Sequence, residues 1–437
     1  MWTYYPELLT RPVPRYTSYP TAAEFDDTVG ADAFAGALDQ VASDAAMSLY
    51  VHIPFCKQIC WYCGCNTDRA NRRDRLNGYM DALFTEIGQV ARALNGRGRV
   101  QRIAFGGGSP NALSAVEFAR LVDLLSVSFP LDNPALSVEI DPRSFEDSWL
   151  SVLSALRFTH ASLGVQTFDP HVQAAIGRVQ PLHEVENLTH KLRDAGLASL
   201  NFDLMYGLPG QDMRVLEESL SQTVRLCPDR VALFGYAHVP DVIARQRVID
   251  AHALPDARTR FDMAAFGHDY LVAAGYRAIG FDHFALPDDP LAKAAERQAV
   301  HRNFQGFTDD PAEILLGFGA SAISQFPDRL IQNEKNSGRY RMRVMDGQWS
   351  AARGAWRSAD DRAAARIIEG LLCHGTAPVA DHVVPRERLA PFIERQLVRL
   401  EAGTLTLSDA ARPYARTIAA LFDRYRGQSA GTFSAAV

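Results

Sequence analysis

The sequence predicts an α/β protein: a parallel sheet flanked by helices, preceded by an extended N-terminal arm and followed by a small, mostly helical domain. Three observations predict it. Short β-rich runs alternate with longer amphipathic stretches between Ser48 and Phe281, the order that builds parallel βα units. From about Ser337 the alternation ends. Before Thr28 the chain is rich in proline and aromatic residues and fits no regular element. With 437 residues, 47% of them hydrophobic, the chain can bury the cores of one large domain and at least one smaller one.

Taken in order, residues 1–28 are expected to form the arm, lying across the main domain, residues 29–350 that main domain and residues 351–437 the C-terminal domain. Strands are expected over Ser48 to Ile53, Arg102 to Phe105, Leu136 to Ile140, His160 to Val165, Ser199 to Met205, Val231 to Tyr236 and Tyr276 to Phe281, short runs bounded by polar and turn residues. Between them, apolar residues recur at helical spacing over Leu76 to Leu94, Ala115 to Leu125, Leu182 to Ala195, Val215 to Leu226 and Arg260 to Ala274. Asp360 to Val437 has the pattern of helices with one β-rich piece, Gly403-Thr-Leu-Thr-Leu407, which suits a domain of winged-helix type.

Charge and hydropathy exclude several function classes. A formal net charge of −6 at pH 7 gives no general pull towards nucleic acid. The basic run Asn71-Arg-Arg-Asp-Arg75 is better explained as a solvated helix start than as an anion site. No apolar run reaches membrane-spanning length, and the N-terminus has no apolar core behind a basic start, so a soluble, cytoplasmic protein is expected.

Of the six cysteines, four fall within ten residues, Cys56-Lys-Gln-Ile-Cys60-Trp-Tyr-Cys63-Gly-Cys65, while Cys227 and Cys373 stand alone. That distribution does not suit a disulfide framework. Cys56, Cys60 and Cys63 have the Cx3CxxC spacing of an exposed iron–sulfur loop. A [4Fe–4S] cube usually takes one thiolate per iron, so three cysteines leave one iron open to a ligand that can also react. A structural zinc site or simple packing of buried cysteines is the alternative. Zinc usually uses paired CxxC knuckles, and no second pair follows downstream.

In parallel α/β architectures the strand ends and the loops after them carry the chemistry. The cysteine loop follows the first expected strand, Gly106-Gly-Gly-Ser-Pro-Asn111 the second, Glu139-Ile-Asp-Pro-Arg143 the third and Gly164-Val-Gln166 the fourth; Asp203 closes the fifth before Tyr206-Gly-Leu-Pro209. A glycine triplet alone is weak evidence, but this one sits where a ligand could approach the backbone closely and lacks the GK[ST] ending of a phosphate loop. Glu139 and Asp203 are as well explained by structural capping as by ligand binding. His52, His238, His283 and His301 are candidate acid–base groups, with orientation of neighbours through hydrogen bonds the favoured role.

The three-cysteine motif resembles that of radical S-adenosylmethionine (SAM) enzymes, and almost the whole chain resembles the oxygen-independent coproporphyrinogen III oxidase family. The resemblance is carried by Pro14-Arg-Tyr-Thr-Ser-Tyr-Pro-Thr21, Tyr50-Val-His-Ile-Pro-Phe-Cys56, Cys60-Trp-Tyr-Cys-Gly-Cys-Asn66, Glu139-Ile-Asp-Pro-Arg143, Tyr236-Ala-His238, Asp282-His-Phe284, His301-Arg-Asn-Phe-Gln-Gly306 and Ser321-Ala-Ile-Ser324. It implies an incomplete (β/α)6 barrel, one [4Fe–4S] cluster and two SAM molecules at adjacent sites. It also implies that Cys56, Cys60 and Cys63 hold the cluster and that Tyr50, Tyr62, Gly106, Glu139 and Ile323 line the SAM on the open iron. Cys65, Gly107, Gly108, Gln166, Arg178, Asp203, Ala237 and Gln305 would lie around the second SAM or between the two. Tyr62 stands where the family often has phenylalanine, a change that preserves stacking.

The implied reaction is oxidative decarboxylation of two propionates of coproporphyrinogen III to vinyl groups, giving protoporphyrinogen IX, through a SAM-derived 5′-deoxyadenosyl radical. A reducing donor such as flavodoxin or ferredoxin and a monomeric state follow from the same resemblance. A substrate with four carboxylates asks for arginine forks and a wide, partly apolar cleft. Arg15 and Tyr16 on the arm are candidates for closing it. A heme-binding chaperone, or another radical SAM relative such as a methyltransferase or heme-opening enzyme, is the alternative. Such chaperones usually lack the arm motif, the Cys65 position and the HRNFQG block, all present here.

Overall fold

The structure is a computed structural model describing residues 2–70 and 72–426. Asn71, at the head of the basic run, and residues 427–437, the end of the expected C-terminal domain, lie outside the described residues. Twelve strands form one open sheet. In chain order they are β1 (Ala46–Ile53), β2 (Arg99–Gly107), β3 (Leu131–Ile140), β4 (His160–Gln166), β5 (Ser199–Tyr206), β6 (Arg230–Gly235), β7 (Arg277–Ile279), β8 (His283–Ala285), β9 (Ile314–Phe318), β10 (Ile323–Phe326), β11 (Arg329–Asn333) and β12 (Ala351–Trp356). Their spatial order is β12-β11-β10-β9-β1-β2-β3-β4-β5-β6-β8-β7.

Strands β1 to β6 run parallel in sequence order, which is the six-unit incomplete barrel. The sheet does not stop there. β9 joins parallel to β1, and β10, β11 and β12 continue antiparallel beyond it. At the other edge the expected strand over Tyr276 to Phe281 shortens to β7, and the β7–β8 hairpin places β8 antiparallel on β6. No helix separates β7 from β8, so the return is a hairpin rather than another crossover.

Burial explains why these segments are strands. β1 is buried along seven of its eight residues, the mark of a parallel strand covered on both faces. Helices between the strands are bounded by local chemistry. Ser114 and Glu117 close a capping box on Ala115–Ser128, Asp212 caps Met213–Leu226, and Asn95 ends Arg73–Leu94 in the left-handed region. Residues 72–75 of the basic run lie at the exposed start of this last helix, where Arg73 pairs with Glu117 at 2.8 Å. Phe105, Phe118, Trp149 and Phe158 stack within the main core.

The C-terminal part packs the helix Ala359–His374 against a three-stranded antiparallel sheet of Thr376–Pro378, Thr404–Leu407 and Val398–Glu401. The arm does more than lie across the main domain. Val13, Tyr16 and Tyr19 are part of the same apolar cluster as Ile368, Leu389, Leu405 and Ile418. Tyr16 donates to Asp423 at 2.9 Å, and the Tyr414 hydroxyl accepts from the Tyr5 N–H at 2.8 Å. A domain this small has a limited core, and the arm's aromatic rings add apolar area to it. The arm then reaches the main sheet, where Asp26 bridges Gly354 in β12. The sheet thus continues past residue 350. Among the described residues no helix is long and apolar enough to cross a membrane.

Candidate active site

The cysteine loop leaves β1 at Pro54 and is tied back into a closed turn by the parallel pairing of Phe55–Cys56 with Asp68–Arg69. Its interior is pinned from three sides. Trp61 N–H donates to Ile176 O at 3.0 Å, Gln246 donates to Tyr62 O at 2.9 Å, and Arg245 donates to Thr67 Oγ1 at 2.7 Å. Packed this way, the loop presents Cys56, Cys60, Cys63 and Cys65 to a cleft of about 540 Å³ over the C-terminal ends of the parallel strands.

The glycine triplet ending β2 brings the backbone against its neighbours. A Cβ on Gly106 would sit 2.4 Å from the Glu139 carboxylate, and one on Gly108 would sit 2.6 Å from Phe55 O. Gly107 has φ +108°, and a Cβ there would meet the His52 ring at 2.4 Å. The Gly107 N–H donates to Glu139 Oε2 at 3.0 Å. Burial raises the Glu139 carboxyl to about 7, despite that hydrogen bond. Burial also raises Asp203, whose oxygens accept from Ser162 at 3.0 Å and Asn201 at 2.8 Å. Burial lowers His52 to about 4, so the ring is neutral. Its Nε2 contacts Asn66 O at 3.1 Å and its Nδ1 the Tyr50 hydroxyl at 3.2 Å. Nε2 therefore carries the proton and Nδ1 accepts, the orienting role expected for this histidine.

Around Cys60 the electrostatics are dominated by two guanidiniums. Arg143 Nη2 lies 3.2 Å from the Cys60 sulfur and Arg178 Nη1 3.4 Å. Both arginines are joined through Asp141, at 2.6 Å and 3.2 Å. Burial opposes ionisation of Asp141, but Arg178 and Arg143 together hold its carboxyl below the usual range. Arg178 also donates to Gly164 O, and a Cβ at Gly164 would sit 2.8 Å from its Nη2. Cys63 is drawn down to about 6 by hydrogen bonding from Cys65, against burial. Burial pushes Cys56 up to about 12 although Ser109 donates to its sulfur at 3.8 Å.

Arg15, Tyr62, Gly107, Gly108, Gln166 and Arg178 line this cleft, as do the four cysteines; Glu139, Asp203 and Ala237 complete the set. Tyr50 is buried beside it, with Phe304 packed edge-on at 4.5 Å. Gly106 lies behind Glu139. Ile323 begins β10 on the β9 side, and Gln305 is exposed at the turn of the hairpin His301–Asn303 and Gly306–Thr308. Neither lines the cleft in this conformation. Tyr16 points into the C-terminal domain rather than the cleft. Sequence reasoning passed over Asp141, Arg143, Arg245 and Gln246. Asp141 and Arg143 were within the strand-end motif, and an aspartate two residues before an arginine beside a cysteine loop was the available signal.

The radical SAM superfamily model matches residues 50–222. An oxygen-independent coproporphyrinogen III oxidase of Bradyrhizobium diazoefficiens is 41% identical over 425 residues, spanning 94% of each chain. Another, from Paracoccus denitrificans, is 39% identical over 430 residues, spanning 96% of this chain and 95% of its own. The chain belongs to the oxygen-independent coproporphyrinogen III oxidase family. The solved coproporphyrinogen III oxidase of Escherichia coli, described as a radical SAM enzyme, matches with a TM-score of 0.90 and 34% identity over 97% of this chain and 99% of its own.

Membership of this family implies a [4Fe–4S] cluster and SAM, and the donor set fits them. Among the described residues no three His, Cys, Asp or Glu side chains converge on a position for a single metal ion, as a zinc site would require. A cluster instead takes each thiolate on a different iron. Two guanidiniums directed at Cys60 and a lowered Cys63 suit an anionic cluster, since N–H groups aimed at sulfur stabilise its charge.

Proposed function

We propose that this protein catalyses the oxygen-independent oxidative decarboxylation of two propionates of coproporphyrinogen III, yielding the divinyl product protoporphyrinogen IX. The observation that carries this reading is the cysteine loop held over the strand ends beside a cleft lined by arginine, together with the end-to-end likeness to oxidases of that name. Cys56, Cys60 and Cys63 would hold the cluster; Tyr62 and Glu139 would line one SAM, with Tyr50 and Gly106 packed behind them. Cys65, Gly107, Gly108, Gln166, Arg178, Asp203 and Ala237, which line the cleft, would hold a second SAM or lie between the two. When bound, the cluster and SAM supply a one-electron route to a carbon-centred oxidant strong enough to take hydrogen from an unactivated propionate carbon.

The chain's own residues set the conditions for that chemistry. Arg143 and Arg178 neutralise sulfur charge on the cluster side, and Asp141 keeps the two guanidiniums from separating. The left-handed Gly107 and its neighbours leave room for a ligand to touch backbone. Buried Glu139 and Asp203 offer acceptors to hydroxyl and ammonium groups at the strand ends. The neutral His52 ring fixes the base of the cysteine loop. We further propose that the enzyme works as a cytoplasmic monomer fed by flavodoxin or ferredoxin, and that Arg15 helps close the cleft.

The test is anaerobic turnover of cluster-reconstituted protein with SAM, a reductant and coproporphyrinogen III, read by mass. Vinyl product with two SAM cleavages per protoporphyrinogen IX, lost in Cys56→Ala, supports the proposal. SAM cleavage without vinyl product contradicts it.

A further inference from the structure

A second, smaller pocket lies where the arm, the main domain and the C-terminal domain meet. Arg15 enters it from the arm, Arg260 from the helix Ala257–Ala273, and Arg412 from the C-terminal domain; Arg416 and Asp282 line it too. Its free volume is about 40 Å³. That is room for a carboxylate or a few waters, not for a ring system. It adjoins the main cleft, because Arg15, Tyr236 and Ala237 line both.

The charge balance of this pocket is unusual. Among the described residues that line it, Asp282 is the one carboxylate, and it is already engaged by His283 Nδ1 at 2.6 Å. Arg15 donates to Gly235 O at 3.0 Å and Arg412 to Gly280 O, both neutral carbonyls. The buried Arg260 Nε has no hydrogen-bond partner among the described residues. Burial lowers Arg260 and Arg412, and Arg15 adds repulsion on Arg260. Gathering half-buried guanidiniums without matching anions costs free energy, and such a site is stabilised by an anion that enters it. Arg15 is itself locked in place, since Arg302 donates to its carbonyl at 3.1 Å and 3.2 Å.

We propose that this pocket is a carboxylate subsite in which Arg15, Arg260 and Arg412 receive a propionate of the tetrapyrrole substrate while the macrocycle occupies the adjoining cleft. The proposal rests on the functional reading above. It assigns the arm a role in recognition, because without Arg15 one of the three guanidiniums is missing. The carboxylate of a SAM molecule has the same chemistry, and the test separates the two sources.

The experiment measures equilibrium binding of coproporphyrin III, its tetramethyl ester and SAM to the cluster-reconstituted protein and to its Arg260→Gln and Arg412→Gln variants. The proposal expects the ester to bind at least tenfold more weakly than the free acid. It expects each variant to lose at least tenfold in affinity for the free acid, with SAM affinity and thermal midpoint held or the midpoint raised. Equal binding of acid and ester, unchanged coproporphyrin binding in both variants, or loss of SAM binding alone would each overturn it. Arginine-dependent binding of the free acid without vinyl product from coproporphyrinogen III would sink the functional reading and leave the carboxylate site standing. Vinyl production with unaltered KM in both variants would do the reverse.

Discussion

Asp141→Asn removes the carboxylate that joins two guanidiniums beside the cysteine loop. The side chains of Arg143, Arg178 and Asp141 are 3%, 6% and 5% exposed, so solvent screens little of the repulsion left behind. Removing one partner of a buried ion pair costs about 3–5 kcal/mol. Against a total stability on the order of 5–15 kcal/mol, that is a large fraction, and for a chain of 437 residues it corresponds to a fall in midpoint of roughly 3–5 °C. The assay is urea and thermal unfolding of the metal-free protein under anaerobic conditions, followed by circular dichroism. Adding Arg143→Met to Asp141→Asn deletes one of the two opposed charges, so the double variant should recover at least about 1 kcal/mol relative to Asp141→Asn alone. In the reconstituted protein the single variant should lose less, because the sulfur anion near both guanidiniums takes over part of the neutralisation. A loss below about 1 kcal/mol for Asp141→Asn, or strict additivity in the double variant, would refute the assignment of Asp141 as the anion that holds the pair.

Other expectations follow from the same geometry. Cys56→Ala, Cys60→Ala and Cys63→Ala should each lose cluster iron and SAM cleavage, whereas Cys65→Ala should keep its iron content and lose vinyl product; iron analysis and product mass check both. Glu139 ordinarily titrates near 4.5 and is raised to about 7 in the fold. Its contribution to stability is therefore complete below pH 4.5 and is lost as pH rises through 7. Metal-free Glu139→Gln should thus gain about 3 kcal/mol on wild type between those limits, seen as denaturation midpoints that diverge with rising pH. Gly107→Ala places a Cβ 2.4 Å from the His52 ring at φ +108° and should cost more than about 1 kcal/mol. Gly196→Ala, at φ +92° with open space around it, carries the conformational penalty without the clash and should cost less; paired unfolding curves check the difference.

The six parallel strands and the helices between them were legible because each is a short apolar run or an amphipathic stretch with turn chemistry at its ends, as with Ser114 and Asp212. The site's backbone was legible for a related reason: parallel topology gathers strand ends, so the cysteine loop, the Gly106 triplet, Glu139 and Asp203 had to converge. The antiparallel extension through β10, β11 and β12 was not. Arg329–Asn333 is buried throughout although it contains Arg, Gln and Asn, and a polar run of that kind carries no strand period. Arg329 is satisfied by its neighbour Asp328 and, from far along the chain, by Ala33 O and Gln40. The same limit hid the arginine pocket. Arg15, Arg260 and Arg412 lie 245 and 152 residues apart along the chain, and the docking of the arm into the C-terminal core brings them together. Tyr16 was paired with Arg15 by adjacency, yet its left-handed φ of 47° turns the two side chains to different tasks.

In the proposed reaction this cleft places the β-carbon of a coproporphyrinogen III propionate against a carbon radical derived from SAM. Turnover of substrate deuterated at those β-carbons tests it most directly, with the isotope content of 5′-deoxyadenosine read by mass. Deuterium carried into 5′-deoxyadenosine in step with vinyl formation is the predicted result. Vinyl product accompanied by unlabelled 5′-deoxyadenosine would contradict that placement.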